Sequence, residues 1–234
     1  MTSNHELSAA ASLTTKFTAD LREQILFGHK KPNERLNLTN LRDEFGVSLS
    51  PIREGLAHLA SEGFIVPVGQ RGYRVAPVSV EQLREIRALR IDLELKGLRQ
   101  SIEQGGEAWE LAVMRDYRRL RSFENRPWDN TVVGTYEELN RLFHRSLLSG
   151  CNSPLLLRFT ETLAGMADRY RRIFLKLFPP DRDAPGEHNA IYEAALDHDA
   201  EAACAALEKH IAHTSDNVLL ALEKQSDAVR KNIV

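Results

Sequence analysis

The chain has 234 residues, 42% of them apolar and 27% charged, and a formal net charge of −2. That length suits one large globular domain or two modest ones, and the near-neutral balance excludes a protein held to nucleic acid by bulk charge. Two cysteines in no motif, Cys151 and Cys204, with no signal peptide and no long apolar run, predict a cytoplasmic chain without structural disulfides or membrane association.

Taken in order, the first dozen residues, "MTSNHELSAAAS", offer almost nothing to bury and read as a disordered lead-in. Phe17, Leu21 and Ile25 recur at helical spacing and predict a helix over 13–29, broken by "KKPNER". A short helix over 39–45 buries Leu41 and Phe45 and stops at Gly46. A third, over 50–62, has Ser50 placed to cap it, Pro51 at its first position and Gly63 beyond its end. "FIVPVGQRGYRVAP" then reads as two strands, 64–67 and 73–76, around a glycine-rich turn. Past Pro77 only long helical patterns follow, over 79–104, 107–125, 131–149, 153–177, 185–197 and 199–225. The expected fold is mainly α: a winged helix-turn-helix over 13–77, then an all-α antiparallel bundle of about six helices over 79–225.

Residues 1–78 hold nine Lys or Arg against eight Asp or Glu, so any DNA contact must rest on placement. In a winged helix-turn-helix the second helix of the turn enters the major groove by its N-terminal end. Free N–H groups and the helix dipole near Ser50 favour a phosphate there, and Ser48 and Ser50 add hydroxyl donors. Arg53, one turn in, can meet a phosphate or fork onto a guanine edge, and Arg71 stands at the tip of the hairpin. A serine cap and a solvated hairpin arginine are each ordinary alone. The order of elements together with these residues is what points to DNA.

The stretch "VSLSPIREGLAHLASEGFIVPVGQRGYRV" resembles the DNA-binding region of the GntR family of bacterial transcription regulators. The resemblance implies a DNA-facing set of Thr39, Ser48, Ser50, Pro51, Arg53, Arg71 and Gly72, and double-stranded operator DNA as partner. Relatives usually carry an arginine between the two serines. This chain has Leu49 there, so their operator sequence does not simply transfer.

In the bundle, the informative residues are polar ones where apolar ones belong. The helix over 131–149 has a stripe of Val132, Tyr136, Leu139, Phe143 and Leu147, with Asn140 and His144 beside it at i, i+4, about 40° apart on the wheel. His210 falls within the stripe Ala203, Leu207, Thr214 and Ala221, and His188 shares a face with Ile191, Tyr192 and Ala195. One such histidine is ordinarily a hydrogen-bonded core residue. Three on separate inward faces also suit a transition-metal site. Arg90 lies in the stripe Leu83, Ile86, Leu93 and Gly97 with Glu94 one turn on, which allows either a structural ion pair or a clamp for a ligand carboxylate.

"LNRLFHRSLLSG" and "GEHNAIYEAALDHDAEAACAALEKHI" resemble the FCD-type effector domain of the FadR-like branch of that family. The resemblance implies a divalent metal, Zn²⁺ preferred and Ni²⁺ or another transition ion possible, held by Asn140, His144, His188 and His210. It also implies a homodimer and an effector site using Arg90, with Arg169 and Tyr170 of "ADRYRR" as further candidates. "QRGYRVAPVS", "SGCNSPLLL" and "ADRYRR" are similar to CsiR-type repressors of glutarate and 4-aminobutyrate catabolism genes. The reading is therefore a ligand-responsive regulator, a repressor of a catabolic operon sensing a small, glutarate-like carboxylate, and not an enzyme. A metal-dependent hydrolase using the histidines on a bound water, and a constitutive DNA-binding protein with core histidines, are the alternatives.

Overall fold

The computed structural model describes the backbone of residues 3–69, 72–125, 133–177 and 183–231, and the side chains of 13–69, 72–125, 134–172 and 183–224. The chain divides into two compact units, Met1–Ser79 and Val80–Val234.

The first unit runs α1 (Ser3–Leu26), β1 (Arg35–Leu36), α2 (Leu38–Phe45), α3 (Leu49–Ser61), β2 (Ile65–Pro67) and β3 (Tyr73–Val75). Its antiparallel sheet has the order β1-β3-β2, with Leu36 opposite Tyr73 and Ile65 opposite Val75. Phe17, Leu21, Ile52, Leu56, Leu59 and Ile65 fill the core, and Phe45 meets Phe17 edge-on at 5.0 Å. Gly55 brings α3 close to α1, since a Cβ there would lie 2.5 Å from Phe17 Cδ1 and 2.7 Å from Thr18 Oγ1. Arg22 adds a two-pronged bond to Glu62 at 2.6 and 2.9 Å, fastening α1 to the end of α3.

Three sequence expectations need correction here. The lead-in is not unstructured, because α1 already runs from Ser3. Alanine, leucine and glutamate propagate a helix cheaply once Phe17 and Leu21 have fixed its nucleus. A third strand, β1, lies in the stretch read only as a helix breaker, because two residues are too few to show alternation and the pairing with β3 defines them. Ser48, not Ser50, occupies the N-cap of α3, and Pro51 stands at the third helical position. Proline is tolerated there because the first-turn N–H groups have no intrahelical partner to lose. Asn37 caps α2, its Oδ1 accepting from the N–H groups of Thr39 and Asn40.

The second unit contains α4 (Val80–Gln104), α5 (Gly106–Glu124), α6 (Val133–Leu148), α7 (Pro154–Leu177), α8 (Ala184–Leu196) and α9 (Ala200–Lys231), the last longer than its apolar pattern predicts. Leu98, Trp109, Val113, Leu120, Phe143, Leu147, Ile191 and Leu207 form one buried cluster. Trp109 Nε1 donates to the Leu147 carbonyl at 3.2 Å, so its indole sits in the core without an unmet donor. Tyr117 stacks on Tyr192 at 3.9 Å and its hydroxyl donates to Asn189 Oδ1, tying α5 to α8. This cluster orients α6, α8 and α9 so that the polar residues beside their apolar stripes share one interior.

Candidate functional site

Phe143 and Leu147, both fully buried, pin one face of α6 to the core and thereby aim Asn140 and His144 inward. His188 of α8 and His210 of α9 come to the same point. The ligand atoms of the three histidines lie within 4.8 Å of one another, with ring centroids 4.7 Å apart for His188 and His210 and 4.9 Å for His144 and His210. His188 Nδ1 lies 2.7 Å from Glu124 Oε1, and His210 Nδ1 lies 2.9 Å from Glu187 Oε2. Both ring nitrogens of His144 and the Nε2 of His188 are buried with no hydrogen-bond partner. His144 as a residue keeps some exposure, yet its nitrogens are sealed from solvent. Burial first, then the neighbouring His210 and His188, then Arg90 and Arg171, hold its pKa well below the usual imidazole value and keep it neutral. Three imidazoles meeting at one point fit a transition ion such as Zn²⁺, which takes nitrogen ligands at about 2.0–2.1 Å. The amide of Asn140, buried beside them, makes no hydrogen bond with a described residue.

Asn140 and His144 line a cavity of about 430 Å³ together with Arg90 and Glu94 of α4 and residues of α7. Arg90 and Glu94 do form a buried ion pair, 2.6 Å between Nε and Oε1. That bond uses only the Nε, and no described residue takes the two terminal nitrogens, so Arg90 has both roles open to it. A second network closes another part of the wall. Arg171 binds Glu137 and Asp168, the latter at 2.7 Å, and Arg141 reaches Asp168 at 2.6 Å. Sequence reasoning missed this network and the two outer glutamates. Glu124 has its partner 64 residues away and left no local signal, whereas Glu187 immediately precedes His188 in the "EH" pair but serves His210. Arg169 and Tyr170 lie elsewhere. The Tyr170 hydroxyl donates to Gln82 Oε1 at 2.7 Å, the Arg169 guanidinium covers the Tyr170 ring at 5.2 Å, and neither lines this cavity.

In the first unit, Thr39, Ser48, Ser50 and Arg53 are all exposed around the start of α3 and α2. The Ser48 hydroxyl makes no capping bond, and Ser50 Oγ donates only weakly, at 3.4 Å, to Glu54. Arg53 pairs with no described residue. Pro51 is buried. Gly72 closes the hairpin at φ 109°, a conformation that favours glycine, with Val68 N–H on its carbonyl at 2.9 Å. Arg71 lies outside the described residues.

Comparison with known proteins agrees with this architecture. The family described as bacterial regulatory proteins, gntR family, matches residues 13–75, and the FCD domain matches residues 85–213. The chain is 35% identical over 193 residues to the uncharacterized HTH-type transcriptional regulator BphR of Paraburkholderia xenovorans, covering 82% of this chain and 79% of that one. It is 28% identical over 195 residues to the HTH-type transcriptional repressor GlaR of Escherichia coli, covering 82% and 89%. Among solved structures it resembles E. coli McbR/YncC, with a TM-score of 0.73 at 22% identity over 90% of this chain and 98% of that one, a likeness of fold. No described helix is long and apolar enough to cross a membrane.

Proposed function

Since this chain belongs to the gntR family of bacterial regulatory proteins and is a DNA-binding transcriptional regulator with an FCD domain, we propose that it is a ligand-responsive repressor of a catabolic operon. In this reading residues 13–77 bind operator DNA and residues 79–225 bind the effector and pair two chains. A divalent ion, Zn²⁺ by preference, is held by His144, His188 and His210 with Asn140 as a weaker fourth ligand. When bound, the ion supplies a Lewis-acidic point for one carboxylate oxygen. Arg90 offers its terminal fork to the other carboxylate or to the second charge of a glutarate-like dicarboxylate.

The observation that carries the reading is the pair of buried, partnerless nitrogens on His144, a residue that lines the same cavity as Arg90. A histidine kept only for packing would leave two polar atoms unsatisfied, at about 1–3 kcal/mol each, which weighs against a constitutive DNA-binding protein with core histidines. The family consists of regulators and not enzymes, which weighs against a hydrolase.

On the DNA side, Arg53 and the hydroxyls of Ser48 and Ser50 at the N-terminal end of α3 take the contacts with Thr39 and Gly72, and Arg71 is assigned to DNA from its place in the sequence. The test is elemental analysis of the purified protein, followed by gel-shift titration on DNA from beside its own gene, with and without glutarate and related acids. One equivalent of metal and a carboxylate-dependent release of DNA are expected. Metal-free protein that no added Zn²⁺ or Ni²⁺ stabilises, or DNA binding indifferent to every carboxylate tried, would overturn the reading.

A further inference from the structure

We propose that Glu124 and Glu187 are positioning residues of the metal centre: each fixes the tautomer of one histidine, and together they supply the negative charge that the inner ligands lack. This rests on the metal reading above and extends it to residues that touch no ion.

The two contacts are built alike from unrelated parts of the chain. Glu124 ends α5 and presents Oε1 to His188 Nδ1 at 2.7 Å, while Glu187 in the first turn of α8 presents Oε2 to His210 Nδ1 at 2.9 Å. An ionised carboxylate only accepts, so in both rings Nδ1 carries the proton and Nε2 is left as the bare lone pair. Those two Nε2 atoms are therefore the ones able to bind a cation. Neither glutamate belongs to the ligand cluster itself, which among the described residues consists of the three histidines. They stand one hydrogen bond behind it, the arrangement that orients a ligating imidazole and raises its basicity.

Charge gives an independent reason. Three neutral imidazoles and the amide of Asn140 bring no charge to a divalent ion. The nearby carboxylates Glu94, Glu137 and Asp168 are already occupied by Arg90, Arg171 and Arg141. Glu124 and Glu187 each place an oxygen on a ligand histidine, and two carboxylates balance one divalent ion. The Glu124 side chain is 2% exposed and its Oε2 has no hydrogen-bond partner, so the carboxylate is buried beside the ion site. Glu187 uses its other oxygen, Oε1, on His213 at 2.8 Å, which anchors it to the surface of α9. His144 has no such outer partner, so its own tautomer is left for the ion to select.

The experiment measures Zn²⁺ affinity by competition with a chromophoric chelator, and the visible spectrum of the Co²⁺-loaded protein, for wild type, Glu124→Gln, Glu187→Gln and the double variant. Melting of each metal-free protein serves as the fold check. Each single variant should bind Zn²⁺ on the order of 10–100-fold more weakly, the double variant more weakly still, and the Co²⁺ bands should shift as the imidazole donors change. If Glu124→Gln does not fold, Glu187→Gln carries the test, since its side chain is 14% exposed and tolerates the change more easily. Wild-type protein that binds Zn²⁺ tightly alongside folded variants of equal affinity and unchanged Co²⁺ spectrum would overturn this proposal alone. Wild-type protein that binds no metal would overturn the metal reading beneath it.

Discussion

Arg90 shows how one side chain can be structural and available at once. Its Nε donates to Glu94, which fixes the guanidinium plane and leaves the terminal pair without a described partner. Arg90→Ala should keep operator binding without ligand and lose release by carboxylate, read as gel-shift titrations at rising ligand concentration. Release at the wild-type concentration would make the pair with Glu94 its whole purpose. Arg53 belongs to the opposite case, exposed and unpaired among the described residues. Its replacement by alanine should cost about 1–3 kcal/mol of operator affinity if it reads a guanine edge. If it anchors a phosphate, all DNA sequences should weaken together and the salt slope should fall. An unchanged affinity with an unchanged slope would remove Arg53 from the interface. Both arginines were legible in the sequence, one as a charge inside an apolar stripe and the other as a cation one turn into a capped helix. Glu124 was not, because a carboxylate at the end of an amphipathic helix looks solvated until its partner on another helix is known.

At the scale of elements, strong periodicity gave the long helices and weak local signals misplaced their ends. The six described helices of the second unit follow from stripes such as Tyr136, Leu139, Phe143 and Leu147, whose burial leaves them little choice. The two-residue strand β1 has no period to read and exists because β3 pairs with it. The cap of α3 shifted by two residues because Ser48 and Ser50 have the same side chain, and backbone geometry rather than composition selects between them. Helix packing also concealed a buried polar lock between α6 and α7. Glu137 of α6 is fully buried and relies on Arg171 of α7, which also holds Asp168 at 2.7 Å. Replacing Arg171 by methionine keeps much of the volume and strands the buried Glu137, while Asp168 keeps Arg141. The expected loss is about 3–5 kcal/mol in urea unfolding. A loss under about 1 kcal/mol, the range of an exposed ion pair, would show that α6 and α7 are held by their apolar contacts alone.

At the scale of the whole molecule, one winged helix reads little DNA by itself. A single recognition helix contacts a few base pairs, and two-fold pairing onto two half-sites is the ordinary way to reach useful affinity. The helical unit offers a surface for that pairing. On α7, Leu155 and Phe159 stand one turn apart on the same face at 66% and 57% exposure, an apolar pair that a lone soluble chain gains nothing by displaying. In the proposed reading, pairing also gives an effector something to act on, because a ligand would change DNA affinity by favouring one arrangement of two half-site readers over another. A coupling of about 1–3 kcal/mol would shift operator affinity several-fold to a hundredfold. The protein should therefore sediment at micromolar concentration with twice the 26.5 kDa of one chain. Changing Leu155 and Phe159 together to glutamate should give a folded monomer, with its melting curve retained, that binds the full operator no better than a half-site. A wild-type monomer, with and without DNA, would refute the dimer. A dimer that survives both glutamates would move its interface off this face of α7.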